Sequence, residues 1–248
     1  MPTTLCKNCD HPVDGNFCSN CGQPAKVHRI DAQYFLHDIP HSILHFDKGF
    51  PYTFSQLITR PSKALQEYLD GKRANFFRPL AYVVLMSAIS SLLINQIRTL
   101  IKQIHFKRTG EVVAEHSSFF SHYQSVFIFL MIPIVSLCTW LVFKKTRFNF
   151  WENVLVNTYL AAQLNVLLVL IHLFSLLKFL ITDSTDYSLI LFMTGFMTYY
   201  ALTFSGLMYK EISGVKLGLK LALMCFLLAS LYATSMSFAG ILNLKLGK

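Results

Sequence analysis

Long apolar runs fill the chain from residue 79 onward and constrain its fold more than any other feature. Each run is near the ~20 residues that a helix needs to cross a bilayer, and backbone groups in lipid must be bonded within the helix. Only 14% of all residues are charged, against roughly 25% in soluble domains. The sequence therefore predicts an all-α polytopic membrane protein whose membrane domain covers residues 79–248. About five transmembrane helices are expected, near residues 79–97, 124–143, 154–181, 187–209 and 216–242.

The N-terminal residues predict a metal site. Four cysteines form two C-x2-C pairs: Cys6, Cys9, Cys18 and Cys21. Two such pairs can supply four thiolates to one tetrahedral Zn²⁺, and four protein ligands leave no open position for catalysis. We predict a zinc-ribbon (zinc-knuckle) head over residues 1–29 with one structural zinc ion. Two disulfides are the alternative, which reducing cytosolic conditions disfavour.

A connector over residues 30–78 joins the head to the first span. Residues 61–70 are expected to form an amphipathic interfacial helix that ends at Gly71. Cations beside membrane spans attract anionic headgroups by about 1 kcal/mol each. Leu65 would then contact acyl chains, unless the same apolar face packs against the ends of the spans. Four cations are predicted to bind the membrane surface: Lys63, Lys72, Arg73 and Arg78.

Basic residues in short loops predict the orientation. The loop after the second span carries Lys144, Lys145 and Arg147, whereas the loop after the third span has no cation. We therefore expect the head and the loop after the second span on the cytosolic side, and the loop after the third span outside. The segment 98–123 fits badly, because it would be outside the cell and yet carries four cations. Either the first span continues as a helix into this segment, or it is re-entrant.

The third span carries the polar residues of the membrane region. Asn157, Asn165 and His172 share one face of a helix drawn at ~100° per residue. Two interpretations remain open: helix–helix hydrogen bonds, or a polar pocket that lines a pathway. The span centres hold no Asp, Glu, Lys or Arg, which disfavours coupled transporters and intramembrane proteases. We find no nucleophile–base or carboxylate pair at a credible spacing, so an enzyme is not expected.

The head and the segment YLDGKRANFFRPL together resemble a family of uncharacterised membrane proteins common in Bacteroidota. Members carry a domain of unknown function preceded by a short zinc ribbon, and the resemblance implies a multi-pass protein of the bacterial inner membrane with a cytosolic head. Five spans behind a cytosolic head are also similar in architecture to the Yip1 group of membrane-trafficking proteins. The first resemblance depends on Cys6, Cys9, Cys18, Cys21, Pro61, Tyr68, Gly71, Lys72, Arg73 and Pro79.

The activity expected from these features is that of a membrane adaptor or scaffold that presents the zinc ribbon to a cytosolic protein. The alternative is a small-solute or lipid permease, flippase or pore lined by the third span. The lipid bilayer and a cytosolic protein are the expected partners, and homo-oligomerisation is left open. Nucleic acid is not expected, because the few cations of the head (Lys7, Lys26, Arg29) are offset by Asp10 and Asp14.

Overall fold

The computed structural model of the chain describes residues 4–35, 49–111, 124–182, 189–212 and 214–246. Within these residues the head contains one two-stranded antiparallel sheet, in which Thr4 pairs with Val13. The rest of the described chain is mostly helical. The elements are β1 (Thr4–Leu5), β2 (Pro12–Val13), α1 (Phe50–Thr59), α2 (Pro61–Leu69), α3 (Pro79–Thr109), α4 (Gln124–Val142), α5 (Phe150–Thr182), α6 (Leu189–Met208) and α7 (Gly214–Leu246).

Among the described residues, four helices are long and apolar enough to cross a membrane, which confirms the predicted class. They are α3, α5, the stretch Ile190–Met208 of α6 and the stretch Gly214–Ser235 of α7. The predicted second span corresponds to α4, whose described side chains, Phe127–Val142, form a shorter apolar helix. Leu92, Leu202 and Phe226 are each about two-thirds exposed on the bundle surface. Such side chains are stable in contact with hydrocarbon, where water is absent.

Helix α5 is the centre of the bundle, because its residues 155–163 are all buried, so that every side of the helix is covered there, and because it contacts α3, α4 and α6. It begins with a capping box: Asn149 Oδ1 accepts from Glu152 N at 2.8 Å, and Glu152 Oε2 accepts from Asn149 N at 2.7 Å. This reciprocal pair satisfies N–H groups that the first turn leaves without partners. The capping box therefore fixes where α5 begins.

Helix α3 runs without interruption for 31 residues, about 46 Å, and ends at Gly110 with φ of 73°. It is longer than the ~30 Å hydrocarbon core. Ile97 and Ile101 pack against Phe179 of α5 in this extension. The cations Arg98, Lys102, Lys107 and Arg108 thus lie on a helical continuation of the first span and not on a re-entrant segment. Residues 112–123 of this segment lie outside the described residues.

Helices α1 and α2 pack beneath the bundle on the side of the head. Leu65 is only 1% exposed and belongs to the main core, together with Ala64 and Tyr68. Helix α2 contacts α6 closely, since a Cβ built on Gly206 would lie 2.6 Å from Ser62 Cβ. The expected contact of Leu65 with acyl chains is therefore wrong. The apolar face of α2 packs against the membrane helices, which was the alternative.

Candidate metal centre

The four cysteine side chains of the head converge on one point. Their sulfur atoms all lie within 4.8 Å of one another, with Cys6–Cys21 and Cys9–Cys18 Sγ distances of 3.5 Å. A tetrahedral ion with metal–sulfur bonds of ~2.3 Å would set these distances at about 3.8 Å. The cluster therefore has the size and the donor set to hold one metal ion.

The two cysteine pairs are built in the same way. Cys6 N donates to His11 O at 2.9 Å, and Cys18 N donates to Gln23 O at 2.8 Å. In both cases the acceptor lies five residues after the first cysteine. This tight backbone turn brings the two sulfur atoms of each C-x2-C pair to the same side, as chelation requires.

Each pair is followed by a residue in the left-handed region, Asp10 with φ of 58° and Gly22 with φ of 74°. The N–H groups of these residues donate to Cys6 O and Cys18 O, both at 2.9 Å. Glycine adopts this conformation without strain, and aspartate is among the residues that tolerate it. The position directly after the second cysteine is thus the one that reverses the chain in both pairs.

The pKa values of two of the thiols are shifted in opposite directions by their surroundings. A hydrogen bond from the His11 backbone lowers the pKa of the Cys9 thiol to about 6, which favours its thiolate form. Desolvation by burial raises the pKa of the Cys21 thiol to about 12. Thiolates this close repel one another unless a cation lies between them. A metal ion bound between the sulfur atoms would remove this repulsion and favour the thiolate form of all four side chains.

The second cysteine pair is attached to the connector through Gln23. Gln23 Oε1 accepts from the backbone N–H groups of Arg73 and Ala74, at 2.8 Å and 3.1 Å, and the residue is only 2% exposed. Gly71, with φ of 106°, lets the connector approach the head, because a Cβ there would lie 3.0 Å from Lys7 Cδ. The head is thus docked on the turn between α2 and α3.

A second attachment joins the end of the head to the start of α5. Arg29 Nε and Nη2 donate to Glu152 Oε1 and Oε2, at 2.8 Å and 2.9 Å, and this pairing raises the pKa of the Arg29 guanidinium. Asn149 Nδ2 donates to Ile30 O at 2.9 Å. The capping box of α5 therefore also binds the head. Sequence reasoning missed these residues, although the N-x-x-E pattern before an apolar run could have identified the box.

The predicted membrane-surface cations have different surroundings. Lys63 and Lys72 are exposed, whereas Arg73 and Arg78 are half-buried. The Arg73 guanidinium donates to Tyr68 O and His28 O, at 3.2 Å and 3.1 Å. It is thus engaged between the connector and the head. Headgroup binding by the four cations stays a prediction.

The three polar residues of α5 do not line one common cavity among those described. Asn165 accepts from Ser90 Oγ at 2.9 Å, so it bonds to α3. His172 Nδ1 lies 2.8 Å from Leu168 O and therefore carries the proton, which leaves Nε2 to accept from Arg98 Nη2 at 3.3 Å. Asn157 alone of the three lines the cavity between α4, α5, α6 and α7. Helix–helix hydrogen bonds account for Asn165 and His172.

Comparison with known protein families gives a match over part of the chain. A family described as "Protein of unknown function (DUF3667)" has a model that matches residues 47–90. This segment comprises α1, α2, the turn that binds Gln23 and the first part of α3, and it begins after the cysteine head. The chain is thus similar to an uncharacterised family over the second half of the connector and the beginning of the first span. No curated protein and no solved structure matches the chain significantly.

Proposed function

We propose that the chain is an adaptor of the bacterial inner membrane, which presents a zinc ribbon to a cytosolic protein. The observation that carries this proposal is the docked head. A metal-binding module whose ligands are all protein thiolates is held at the end of the helix bundle by Gln23 and Arg29. Such a module offers a rigid surface to a partner and has no open metal position for chemistry.

Zinc is the metal that suits this site best. Four thiolates at tetrahedral spacing are the donor set of structural zinc sites, and zinc has no redox chemistry to disturb a scaffold. Iron is the other metal that a four-thiolate site accepts. The head buries very few apolar side chains, with Val13 as the largest. The ion would therefore supply much of the folding free energy of the head.

The surface for the partner includes two exposed apolar side chains. Leu5 and Phe17 are each 65% exposed, and each directly precedes the first cysteine of a pair. Leu5 pairs with Pro12 and Phe17 with Pro24, so each lies directly before a metal-binding turn, and we expect their spacing to depend on the metal. Exposed apolar side chains on a small rigid module are typical of protein-binding surfaces.

The proposed location and orientation follow from charge and resemblance. The turn 143–149 carries Lys144, Lys145 and Arg147 and lies at the same end of the bundle as the head, where Arg147 O accepts from Arg29. Basic loops favour the cytosolic side. The resemblance of the head and the first span to Bacteroidota membrane proteins supports the bacterial inner membrane, whereas the likeness to the Yip1 group depends on architecture alone.

Site-specific photo-crosslinking in living cells tests the adaptor function. A benzophenone amino acid at position 17 replaces one exposed aromatic side chain by another and should give discrete crosslinks to a cytosolic protein. The same probe at lipid-facing Leu92 is the control and should not give them. The crosslinks should disappear when Cys18→Ser removes a ligand. Unchanged crosslinks in that variant would contradict presentation by a metal-held head.

A further inference from the structure

A half-open cavity of about 350 Å³ lies between the docked head, the turn after α2 and the start of α5. Its volume is within the range of about 300–1,000 Å³ that is usual for ligand pockets. Part of the wall is apolar and consists of Val27, Leu69 and Phe148. Four strongly basic side chains from separate parts of the chain also line it: Lys7, Arg29, Arg73 and Arg147. Docking of the head therefore completes a basic cavity that neither the head nor the bundle has alone.

Two of these four cations are paired with carboxylates. Arg29 is bonded to Glu152, which also lines the cavity. Arg147 lies 3.6 Å from Asp70 Oδ1 in the wall, and 3.1 Å from Glu211 Oε1 outside it. The wall thus holds four strongly basic side chains against two acidic ones, and the excess of positive charge belongs to the remaining two cations.

Lys7 is the first cation of the wall without a counter-charge. Its side chain lies over Gly71, because a Cβ built on this glycine would be 3.0 Å from Lys7 Cδ and 3.8 Å from Lys7 Nζ. Gly71 itself lines the cavity, so the ammonium group is located at the wall. Among the described residues Lys7 forms neither a hydrogen bond nor a salt bridge. The glycine thus leaves room for an exposed ammonium group that is available to an anion.

Arg73 is the second cation of the wall without a counter-charge. Its guanidinium group donates to two uncharged acceptors, Tyr68 O and His28 O, and forms no salt bridge among the described residues. It also lies over the rings of Tyr34 and Tyr68, 5.3 Å and 5.4 Å from their centroids. These contacts fix the position of the guanidinium group. Its Nη1 has no acceptor within the described part of the chain, so donors remain for a ligand.

We propose that this cavity binds a phosphate monoester, whose oxygen atoms accept from Lys7 and Arg73 while its carbon atoms contact the apolar part of the wall. A phosphate monoester carries a charge of about −1.5 to −2 at neutral pH, which matches the two cations in excess. Lysine and arginine are the usual donors to phosphate oxygens. Two sources carry this group: a soluble ester such as glycerol 3-phosphate, or the headgroup of phosphatidic acid. The cavity is accessible to both, since it is half open and lies beside the first turn of the span α5.

Isothermal titration calorimetry of the purified full chain, metal-loaded and in an uncharged detergent, tests this proposal. Glycerol 3-phosphate or short-chain phosphatidic acid should bind once per chain, whereas glycerol should not bind. Phosphatidylglycerol of the same chain length is the matched lipid, because its phosphate is a diester with a single charge. It should bind about tenfold more weakly than phosphatidic acid. Phosphatidic acid is the source if it binds at least tenfold more tightly than glycerol 3-phosphate, and the soluble ester is the source otherwise.

Matched variants separate binding in the cavity from general attraction to a basic surface. Lys7→Gln should weaken binding of the monoester about tenfold, because it removes a charge-assisted hydrogen bond. Its metal content and melting temperature should equal those of the wild type, since Lys7 is exposed and bonds to no described residue. Lys7→Arg keeps the charge and should restore most of the affinity. Lys72→Gln removes an exposed cation next to Arg73 that does not line the cavity, and should change the affinity less than about twofold.

Three results would overturn the proposal. The first is that neither monoester binds to the metal-loaded chain. The second is that Lys7→Gln and Lys72→Gln weaken binding equally, which would mean that anions are attracted to the basic surface as a whole. The third is that phosphatidylglycerol binds as tightly as phosphatidic acid while glycerol 3-phosphate does not bind, which would mean that the monoester group is not recognised. Each of these results would leave the cavity as a solvent-filled space between the head and the bundle.

Discussion

The side-chain oxygen of Gln23 lies 2.8 Å from the backbone nitrogen of Arg73. The backbone oxygen of the same Gln23 accepts from Cys18 N at 2.8 Å. One residue thus belongs both to the turn that shapes the second cysteine pair and to the contact that docks the head. Because of this shared residue, we expect metal binding and docking to be coupled.

Replacing Gln23 should undock the head. Gln23→Leu removes the shared acceptor of two part-buried backbone N–H groups, and each lost hydrogen bond costs about 0.5–1.5 kcal/mol. We expect hydrogen exchange of the Arg73 and Ala74 amides to become at least tenfold faster. Ser19→Leu, at an exposed position of the same cysteine pair, is the control and should not change it. Equal exchange in the Gln23 variant and the wild type would show that the contact does not hold the head.

In the Arg29–Glu152 ion pair, replacing Glu152 should lower the free energy of unfolding more than replacing Arg29. The Arg29 side chain is 62% exposed and that of Glu152 only 7%. Arg29→Ala should lower the free energy of unfolding by about 1 kcal/mol, as partly exposed ion pairs do. Glu152→Ala also removes the capping box of α5 and should cost about 2–3 kcal/mol. Thermal unfolding of both single variants and the double variant measures this, and equal costs would contradict the dual role of Glu152.

The close contact between α2 and α6 requires a glycine at position 206, because any side chain there would meet Ser62. Gly206→Ala would place a Cβ 2.6 Å from Ser62 Cβ, and such overpacking typically costs about 1–3 kcal/mol. Ser62→Gly in the same chain should recover part of this loss. Gly218→Ala is the matched control, since nothing lies within 4 Å of its new Cβ. It should be neutral or stabilising by up to about 1 kcal/mol. A melting temperature unchanged by Gly206→Ala would exclude the close contact.

Variants at Leu65 and Lys72 distinguish the packing of the connector against the bundle from its binding to lipid. Leu65→Asp places a carboxylate in the core and should destabilise the whole membrane domain by about 3 kcal/mol or more. Lys72→Glu, at an exposed position, should change stability by less than about 0.5 kcal/mol. If Lys72 binds headgroups, the same variant should bind anionic liposomes more weakly and be less sensitive to salt. A stable Leu65→Asp protein would contradict the packing of α2.

Local patterns made some parts of this fold predictable. Cysteine spacing predicted the cluster, since both pairs are short turns whose geometry depends on neighbouring residues. Hydropathy predicted the helical membrane domain because lipid allows few other structures. Docking was not predictable in this way, because Arg29 and Glu152 are 123 residues apart. The amphipathic face around Leu65 has the same pattern whether lipid or protein covers it, so only tertiary structure could decide.

Metal content of the intact chain tests the central claim most directly. Elemental analysis of the full chain, purified under reducing conditions without chelators, should give one zinc ion per chain. Cys18→Ser should give a value near zero while the membrane domain stays inserted and folded, because the spans bond their own backbone and the head depends on the ion. Iron in place of zinc, or no metal in the reduced wild-type protein, would contradict a zinc-held head.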